Sequence, residues 1–492
     1  MTKAFRSVLL AGVALAATPA MAASAKKAAP QSDPRIGVLE QQLRDVQRQL
    51  AEIKGAQSKG NEGDNDYSVA VADLKRSTSD QYADINNRLD AQNKVSLDNG
   101  RLSFASANGN FTFALRSLIQ FDYGYFAQGK NPASVDLNSG SNFRRAQFGF
   151  TGTAWKDWAY NFTYDFGGNG IEKSGYIYSA YIEYDGFKPF GVRVGAFAPP
   201  AGIEDATGSA DLLFLERPSS SDIARNIGGS PGREGISIFA QGSDYLFSLA
   251  YTGKKATDTA TFDAQQSLVG RASWLAINNS DLKWLLDADV THVFKVADAA
   301  ANTNTSDTFS FSNGPELAVD STKTVNTGNI DAKSVTQWGL ETAGEYGPLY
   351  GQGGYFHYYI DRRTALPSPD FEGWYALATW SLTGESHPYD PATASFRGLR
   401  PANPLGTPGG WGAWELKARY SDIDLDFNPL STPANGGVAG GRQDVWTVGL
   451  NWYPTNGLRF ALDYDNIQVN HVNNPATDIS ASAIALRSQV SF

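Results

Sequence analysis

Two hydrophobic periods divide the chain, and the change falls near residue 101. Upstream, residues 33–54 read DPRIGVLEQQLRDVQRQLAEIK, with Ile36, Leu39, Leu43, Val46, Leu50 and Ile53 at spacings of 3, 4, 3, 4 and 3. That is a heptad seam. Asp33 suits a helix cap and Pro34 the first helical position. The seam covers under three heptads, too few for a stable isolated helix. Val46 and Ile53 share the phase of Leu39, and β-branched residues there favour a trimer over a parallel dimer. The spacing predicts a coiled-coil stem over 33–54, with a lone amphipathic surface helix as the competing reading. Residues 55–100 read as a linker, opening on the polar stretch GAQSKGNEGDND and holding a second, weaker helix around Leu74, Ile85 and Leu89.

From residue 101 to 492 the period is two. Phe111, Phe113, Leu115, Ile119, Phe121, Tyr123 and Tyr125 share one face, and Thr112, Arg116, Gln120 and Asp122 the other. In WAYNFTYDF, Trp158, Tyr160, Phe162, Tyr164 and Phe166 alternate with Ala159, Asn161, Thr163 and Asp165. Sixteen such segments follow one another to ALRSQVSF at the end, where Phe492 closes an alternating strand. Aromatics gather at segment ends, as at Trp155, Trp158, Tyr184, Trp411, Trp414, Trp446, Trp452 and Tyr453. Tight joins such as 156–157 and 242–244 alternate with long ones such as 199–234 and 296–334. Aromatic girdles with alternately short and long connections describe a transmembrane β-barrel better than a sandwich or propeller. Residues 383–410 break the alternation, being long and rich in Pro and Gly where a short turn is due.

The N-terminus fits an exported barrel. Lys3 and Arg6 precede the apolar run Val8–Ala17 and the small-x-small site Ala20-Met21-Ala22, which predicts a signal peptide over 1–22. No other stretch is apolar for long enough to cross a membrane as a helix. Cysteine is absent, so neither disulfides nor thiolate metal sites are expected, and no cofactor is implied. A net charge of −10 argues against nucleic acid as a partner. The 27 Phe, 22 Tyr and 11 Trp suit short strands with aromatic rims.

Five stretches, in this order and spacing, resemble the phosphate-selective porin O and P family of Gram-negative outer membranes. They are FRRAQFGFTGTAW (143–155), FLERP with GREG (214–218, 232–235), WSLTGE (380–385), GAWELKARYS (412–421) and GLNWYP (449–454). The resemblance implies an all-β, sixteen-stranded antiparallel barrel, assembled as a homotrimer among outer-membrane lipids, with the stem in the periplasm. It implies that Phe492 is the signal read by the barrel-assembly machinery and that 383–410 is a family feature. The expected function is an outer-membrane porin, a water-filled channel for passive diffusion of small hydrophilic solutes and ions, with anions such as phosphate as candidates.

Strand phase assigns Arg116, Arg145, Arg193, Arg271, Lys417, Arg419, Arg459 and Arg487 to the lumen. It assigns Asp122, Asp165, Glu183, Asp287, Asp289, Glu341, Glu415, Asp463 and Asp465 there too, so a mixed wall of weak ion selectivity is expected. Each arginine has the alternative of being paired with one of those acids. Arg144, in the opposite phase to Arg145, is expected to face outward near the rim. The family resemblance sends loop 199–234 inward as the constriction, carrying Arg217, Arg225 and Arg233 beside Glu216 and Asp222; a loop that only covers the mouth is the alternative. Two other functions compete. One is a barrel-anchored structural tether that binds peptidoglycan through its stem. The other is an outer-membrane enzyme, for which His292, His357, His387 and His471 form no recognisable nucleophile or metal motif.

Overall fold

The computed structural model describes residues 44, 48, 64–90, 92–98, 100–130, 135–167, 175–258, 263–298 and 307–492. The signal peptide and the heptad seam lie outside them. Helix α1 (Asp64–Asp90) covers the weaker helical stretch, and inside it the Thr78 hydroxyl donates to the Leu74 carbonyl at 2.7 Å.

The period-two region forms sixteen antiparallel strands. They are β1 (Thr112–Lys130), β2 (Gly140–Ala154), β3 (Trp158–Asp165), β4 (Tyr176–Phe187), β5 (Phe190–Phe197), β6 (Arg233–Gln241), β7 (Tyr245–Lys255), β8 (Gln266–Asn278), β9 (Leu282–Lys295), β10 (Ser334–Tyr346), β11 (Leu349–Asp361), β12 (Asp370–Ser381), β13 (Ala413–Phe427), β14 (Val438–Thr455), β15 (Leu458–Asn470) and β16 (Ile479–Ser491). Each pairs with its sequence neighbour, and β16 pairs with β1 from Ser480↔Lys130 to Ser491↔Leu118. Ser117 and Phe492 then exchange two backbone hydrogen bonds at 2.9 and 3.1 Å. Closure leaves no strand edge, so every strand satisfies its backbone groups within the sheet, as lipid requires. A hairpin (94–98 with 101–105) joins the start of β1 through Ser103↔Ala114.

Side chains alternate between lipid and lumen along the strands except at bulges. Along β12, Phe371, Tyr375, Leu377 and Thr379 are buried while Glu372, Trp374, Ala376, Ala378 and Trp380 are exposed. Outward rings form two belts. Trp374, Tyr420 and Trp446 follow one another at 5.0 and 4.6 Å near one rim, and Trp414, Trp452 and Phe460 at 5.3 and 5.5 Å near the other. Trp414 and Tyr420 are six residues apart on β13, roughly 20 Å at the usual strand rise, which fits an apolar band between two interfaces. Tyr453 differs from the expectation of an aromatic rim. One residue past Trp452, it falls on the inner face and donates to Glu415 at 3.0 Å.

Three connections fold into the lumen. Residues 198–232 enter from the long-loop end and carry α2 (Ile203–Ala206) and α3 (Ser219–Gly228). Loop 296–333, described over 296–298 and 307–333, covers them with its latter part, and segment 382–412 rises from the short-turn end. Apolar side chains from all three, including Phe214, Ile223, Ile227, Phe311 and Phe396, pack against inward residues of the wall such as Tyr358 and Phe371. The barrel therefore has a core inside it, which polar strand faces alone would not provide.

Candidate functional site

The backbone of the inward loop hangs from the barrel wall. Lys417 Nζ donates to the Leu213 carbonyl at 2.7 Å, Arg459 to the carbonyls of Leu212 and Leu213, and Arg419 to that of Glu216 at 2.7 Å. Asn451, Gln489 and Gln120 take the carbonyls of Leu213, Ala210 and Ser209 at 3.0, 2.8 and 2.9 Å. These donors sit on β13–β16 and β1 and are buried. Each strand cation also has an acid or amide: Lys417 is 2.6 Å from Asp463, Arg419 2.6 Å from Glu316, and Arg459 3.0 Å from Asn451 Oδ1. Lys417, Arg419 and Arg459 thus face inward as their phase requires, but they contact the loop rather than an open passage.

Loop 296–333 locks α3 from the other side. Glu316, at φ 58, accepts from the Ser219 backbone N–H at 2.7 Å, the Ser219 hydroxyl at 2.9 Å and the Ser421 hydroxyl at 2.7 Å. A carboxylate at a helix N-terminus is favoured by the unpaired N–H groups there. Segment 382–412 closes on the opposite end. Arg271 donates to the Thr393 and Ala394 carbonyls at 2.7 and 2.8 Å and to Asp287 at 2.9 Å, and the Gly398 N–H reaches Asp211 at 3.1 Å.

Around Glu216 the charges converge. Arg144 grips Glu216 with Nε at 2.5 Å and Nη2 at 2.8 Å. Arg487 grips Asp122 at 2.7 and 2.6 Å and lies 3.4 Å from Glu216. Burial would raise the Glu216 carboxyl, but Arg144 above all pulls it down to about 2. The inward Arg144 corrects its expected outward orientation. The β1–β2 register jumps from Gln120↔Arg145 to Phe121↔Phe143, so Arg144 is the extra residue of a β-bulge and turns inward beside Arg145. Arg145 itself donates to Gln120 at 2.7 Å and makes no ion pair among the described residues.

The loop arginines separate. Arg217 is buried and donates to the carbonyls of Glu204, Asp205 and Thr207 at 3.1, 3.5 and 2.8 Å, with no ion pair among the described residues. Arg225 pairs with Asp205 at 2.6 Å and approaches Asp222 at 3.6 Å. Burial lowers the Arg217 guanidinium; on Arg225 the same effect is outweighed by Asp205, which raises it. Arg233 lies apart, at the first position of β6, donating to the Gly229 and Gly253 carbonyls at 3.0 Å each. Arg116 is exposed on the inner face near the short-turn end.

Two cavities within the barrel border the inward loop. One of about 160 Å³ opens between α3 and loop 296–333, lined by Arg144, Glu216, Asp222 and Lys323. The other, of about 230 Å³, lies against β4–β8 and is lined by Tyr178, Arg193, Asp205, Phe239, Arg271 and Thr393. Arg217 and Arg225 line both, and no other described residue does. Arg193 pairs with Glu183 at 2.6 Å and stacks 4.6 Å over the Tyr181 ring. The four histidines do not gather: His292 meets Thr336, His357 lies 3.4 Å from Asp370, His387 is 2.8 Å from Glu415, and His471 lies beside Gly441.

A closed sixteen-stranded barrel with aromatic belts, an apolar outer face and a polar interior narrowed by an infolded loop defines an outer-membrane porin. The chain belongs to the phosphate-selective porin O and P family, whose model matches residues 113–492. It is therefore a channel protein of the Gram-negative outer membrane. It is 26% identical to Porin O of Pseudomonas aeruginosa over 411 residues, covering 80% of this chain and 91% of that one. It is 25% identical to an uncharacterised protein of Caulobacter vibrioides, over 73% of this chain and 69% of the relative. Among solved structures it is similar to the outer membrane channel DcaP of Acinetobacter baumannii (10% identity, TM-score 0.46, 78% of this chain and 98% of that one). It is also similar to an anion-selective porin from Comamonas acidovorans (12%, 0.45, 78% and 100%).

Sequence reasoning missed Glu316 and the carbonyls of Thr393 and Ala394. All lie in connections without a period, where only the unusual length of 296–334 and 383–410 signalled a role.

Proposed function

We propose that this porin passes small hydrophilic anions, phosphate among them, along the β4–β8 side of the barrel and past Arg217 and Arg225. The observation that carries this reading is that, among the described residues, these two arginines alone line both of the cavities that border the loop. The larger cavity is lined by Arg193, Arg217, Arg225 and Arg271; the first is paired with Glu183, the third with Asp205 and the last with Asp287, which leaves Arg217 as the lining cation without an ion pair among the described residues. Guanidinium keeps its charge at any working pH and offers a planar fork of donors to an oxyanion. Asp205 and Asp222 beside Arg225 hold attraction in check, so that an anion can leave again. The working unit is a homotrimer assisted by the 33–54 stem, assembled through the signal at Phe492; peptidoglycan is the candidate partner of the stem.

The test is a planar-bilayer measurement across a KCl gradient. The wild type should give a reversal potential on the anion side. Replacing Arg217 and Arg225 with Ala should move it toward cations and raise conductance. If neither quantity changes, the passage runs elsewhere.

A further inference from the structure

Three buried carboxylates meet where the inward loop leaves the wall, and the function described so far uses none of them. Asp287 and Asp289 stand two residues apart on the inner face of β9. Glu341 on β10 lies directly opposite Asp287, while the partner of Asp289 is Gly339, which has no side chain to fill the gap. Asp287, Asp289 and Glu341 are 6, 5 and 4% exposed, and one carboxylate oxygen of each lies within 4.8 Å of those of the other two.

Each carboxylate is held by donors on one side. Asp287 Oδ2 accepts from Arg271 at 2.9 Å and from Ser273; Asp289 Oδ2 accepts from Gln337 at 2.6 Å; Glu341 accepts from the Tyr375 hydroxyl and the Ile203 N–H. The other oxygens of the two aspartates, Asp287 Oδ1 and Asp289 Oδ1, are buried without a hydrogen-bond partner. Asp289 Oδ1 is aimed at the loop. A Cβ built on Gly202 would lie 3.5 Å from it and would collide with Glu341 Oε2. A Cβ on Gly339 would collide with Asp289 Oδ1, and one on Gly354 would sit 2.6 Å from Glu341 Cγ. Three glycines therefore leave room around the carboxylates, and Gly202 is at φ 91, a conformation glycine takes without strain. A fourth acid, Glu204, joins the group through Gln352, which donates to it at 2.9 Å and to Tyr375 at 2.6 Å.

We propose that Asp287, Asp289 and Glu341 form a binding site for a hard divalent cation, Ca²⁺ in preference to Mg²⁺. Like charges this close, with Arg271 as the one cation bonded to them among the described residues, repel one another in a buried setting. Two buried oxygens without donors are what a metal ion satisfies and an apolar contact does not. Carboxylate oxygens select hard ions. Mg²⁺ demands near-ideal octahedral geometry at about 2.1 Å and dehydrates reluctantly, whereas Ca²⁺ accepts irregular sets of oxygens at about 2.3–2.6 Å, as three carboxylates fixed on two neighbouring strands provide. An ion here fastens the start of the loop, through Ile203 on Glu341, to the wall, and through Asp287 and Arg271 to segment 382–412.

The test uses the full-length protein in detergent, stripped with EDTA and titrated with CaCl₂ by calorimetry. The wild type should bind one Ca²⁺ per chain, and bind Mg²⁺ more weakly; Asp289→Asn should weaken Ca²⁺ at least tenfold. Absence of saturable binding, or equal affinity in Asp289→Asn, overturns the site. So does an Asp289→Asn protein that is more heat-resistant than the wild type with Ca²⁺ present, which would mean that the cluster is relieved by protons instead. Should Asp289→Asn fail to fold, terbium luminescence decides. Tyr375 touches Glu341, so Tyr375→Phe should remove most of the tyrosine-sensitised emission that Ca²⁺ displaces; undiminished emission overturns the proposal.

Discussion

Arg144 and Glu216 form a two-pronged ion pair, 2.5 and 2.8 Å long, between a bulged residue of the wall and the infolded loop. Both side chains are 12% exposed. Removing one charge of such a pair strands the other in a poorly solvated place. Glu216→Gln should therefore destabilise the barrel by roughly 2–3 kcal/mol, read as a lower unfolding temperature in detergent. It should also move reversal potential further toward anions, since Arg144 and Arg487 lose a counter-charge.

Acid should erase that difference. The Glu216 carboxyl is depressed in the folded protein from its ordinary 4.5 to about 2. Its stabilisation is complete above pH 4.5 and is lost as pH falls through that interval toward 2. Unfolding temperatures of wild type and Glu216→Gln, measured from pH 7 to pH 2, should converge at the acid end. A constant gap would mean that Glu216 acts through shape rather than charge.

His387 should titrate in the opposite sense. Its Nε2 is 2.8 Å from Glu415 and its Nδ1 2.7 Å from the Arg397 carbonyl. Both partners only accept, so both ring nitrogens donate and the ring is cationic. Burial would lower its pKa, but the Glu415 carboxylate outweighs this and the value is raised above 6.5. The resulting stabilisation is complete below pH 6.5 and fades as pH rises through the raised value. Proteolysis within 383–410 should accelerate at alkaline pH in the wild type. In His387→Gln it should already be fast at pH 6.

Arg459 tests anchoring against conduction. Arg459→Met would leave the Leu212 carbonyl short of a donor, while Lys417 and Asn451 still hold that of Leu213, and should cost roughly 2 kcal/mol. Open-channel current noise should rise because the loop is loosened, while reversal potential should stay within a few millivolts of wild type. A large shift in selectivity would return Arg459 to the conducting surface.

The stem makes a separate prediction. Leu43→Asp with Leu50→Asp should free the coiled coil yet leave a heat-labile barrel trimer on semi-native gels. Monomers alone would make the stem indispensable to assembly.

The barrel was legible because period two reports directly which side a residue faces. It distinguished Asn161, Thr163 and Asp165 from Trp158 and Tyr164 without error. What period two does not report is what stands opposite. Lys417, Arg419 and Arg459 face inward, as read, and meet loop carbonyls rather than solvent. Arg144 escaped because a single extra residue in β2 inverts the phase locally, and a bulge leaves no mark in alternation. Glu316 escaped because its loop has no repeat at all; its partners Ser219 and Ser421 lie far away in sequence.

The anchors of residues 209–216 and the open space occupy different arcs of the barrel. Carbonyls of that stretch of the infolded loop are gripped from β13–β16 and β1, while the larger cavity follows β4–β8. The circumference is thus partitioned into a fixed arc and a variable one. Substitutions at Tyr178, Ser237, Phe239 or Ser248 on the variable arc can change the width and polarity of the passage while the loop keeps its fastenings. A lineage, or an engineer, can retune what such a pore admits without refolding what narrows it.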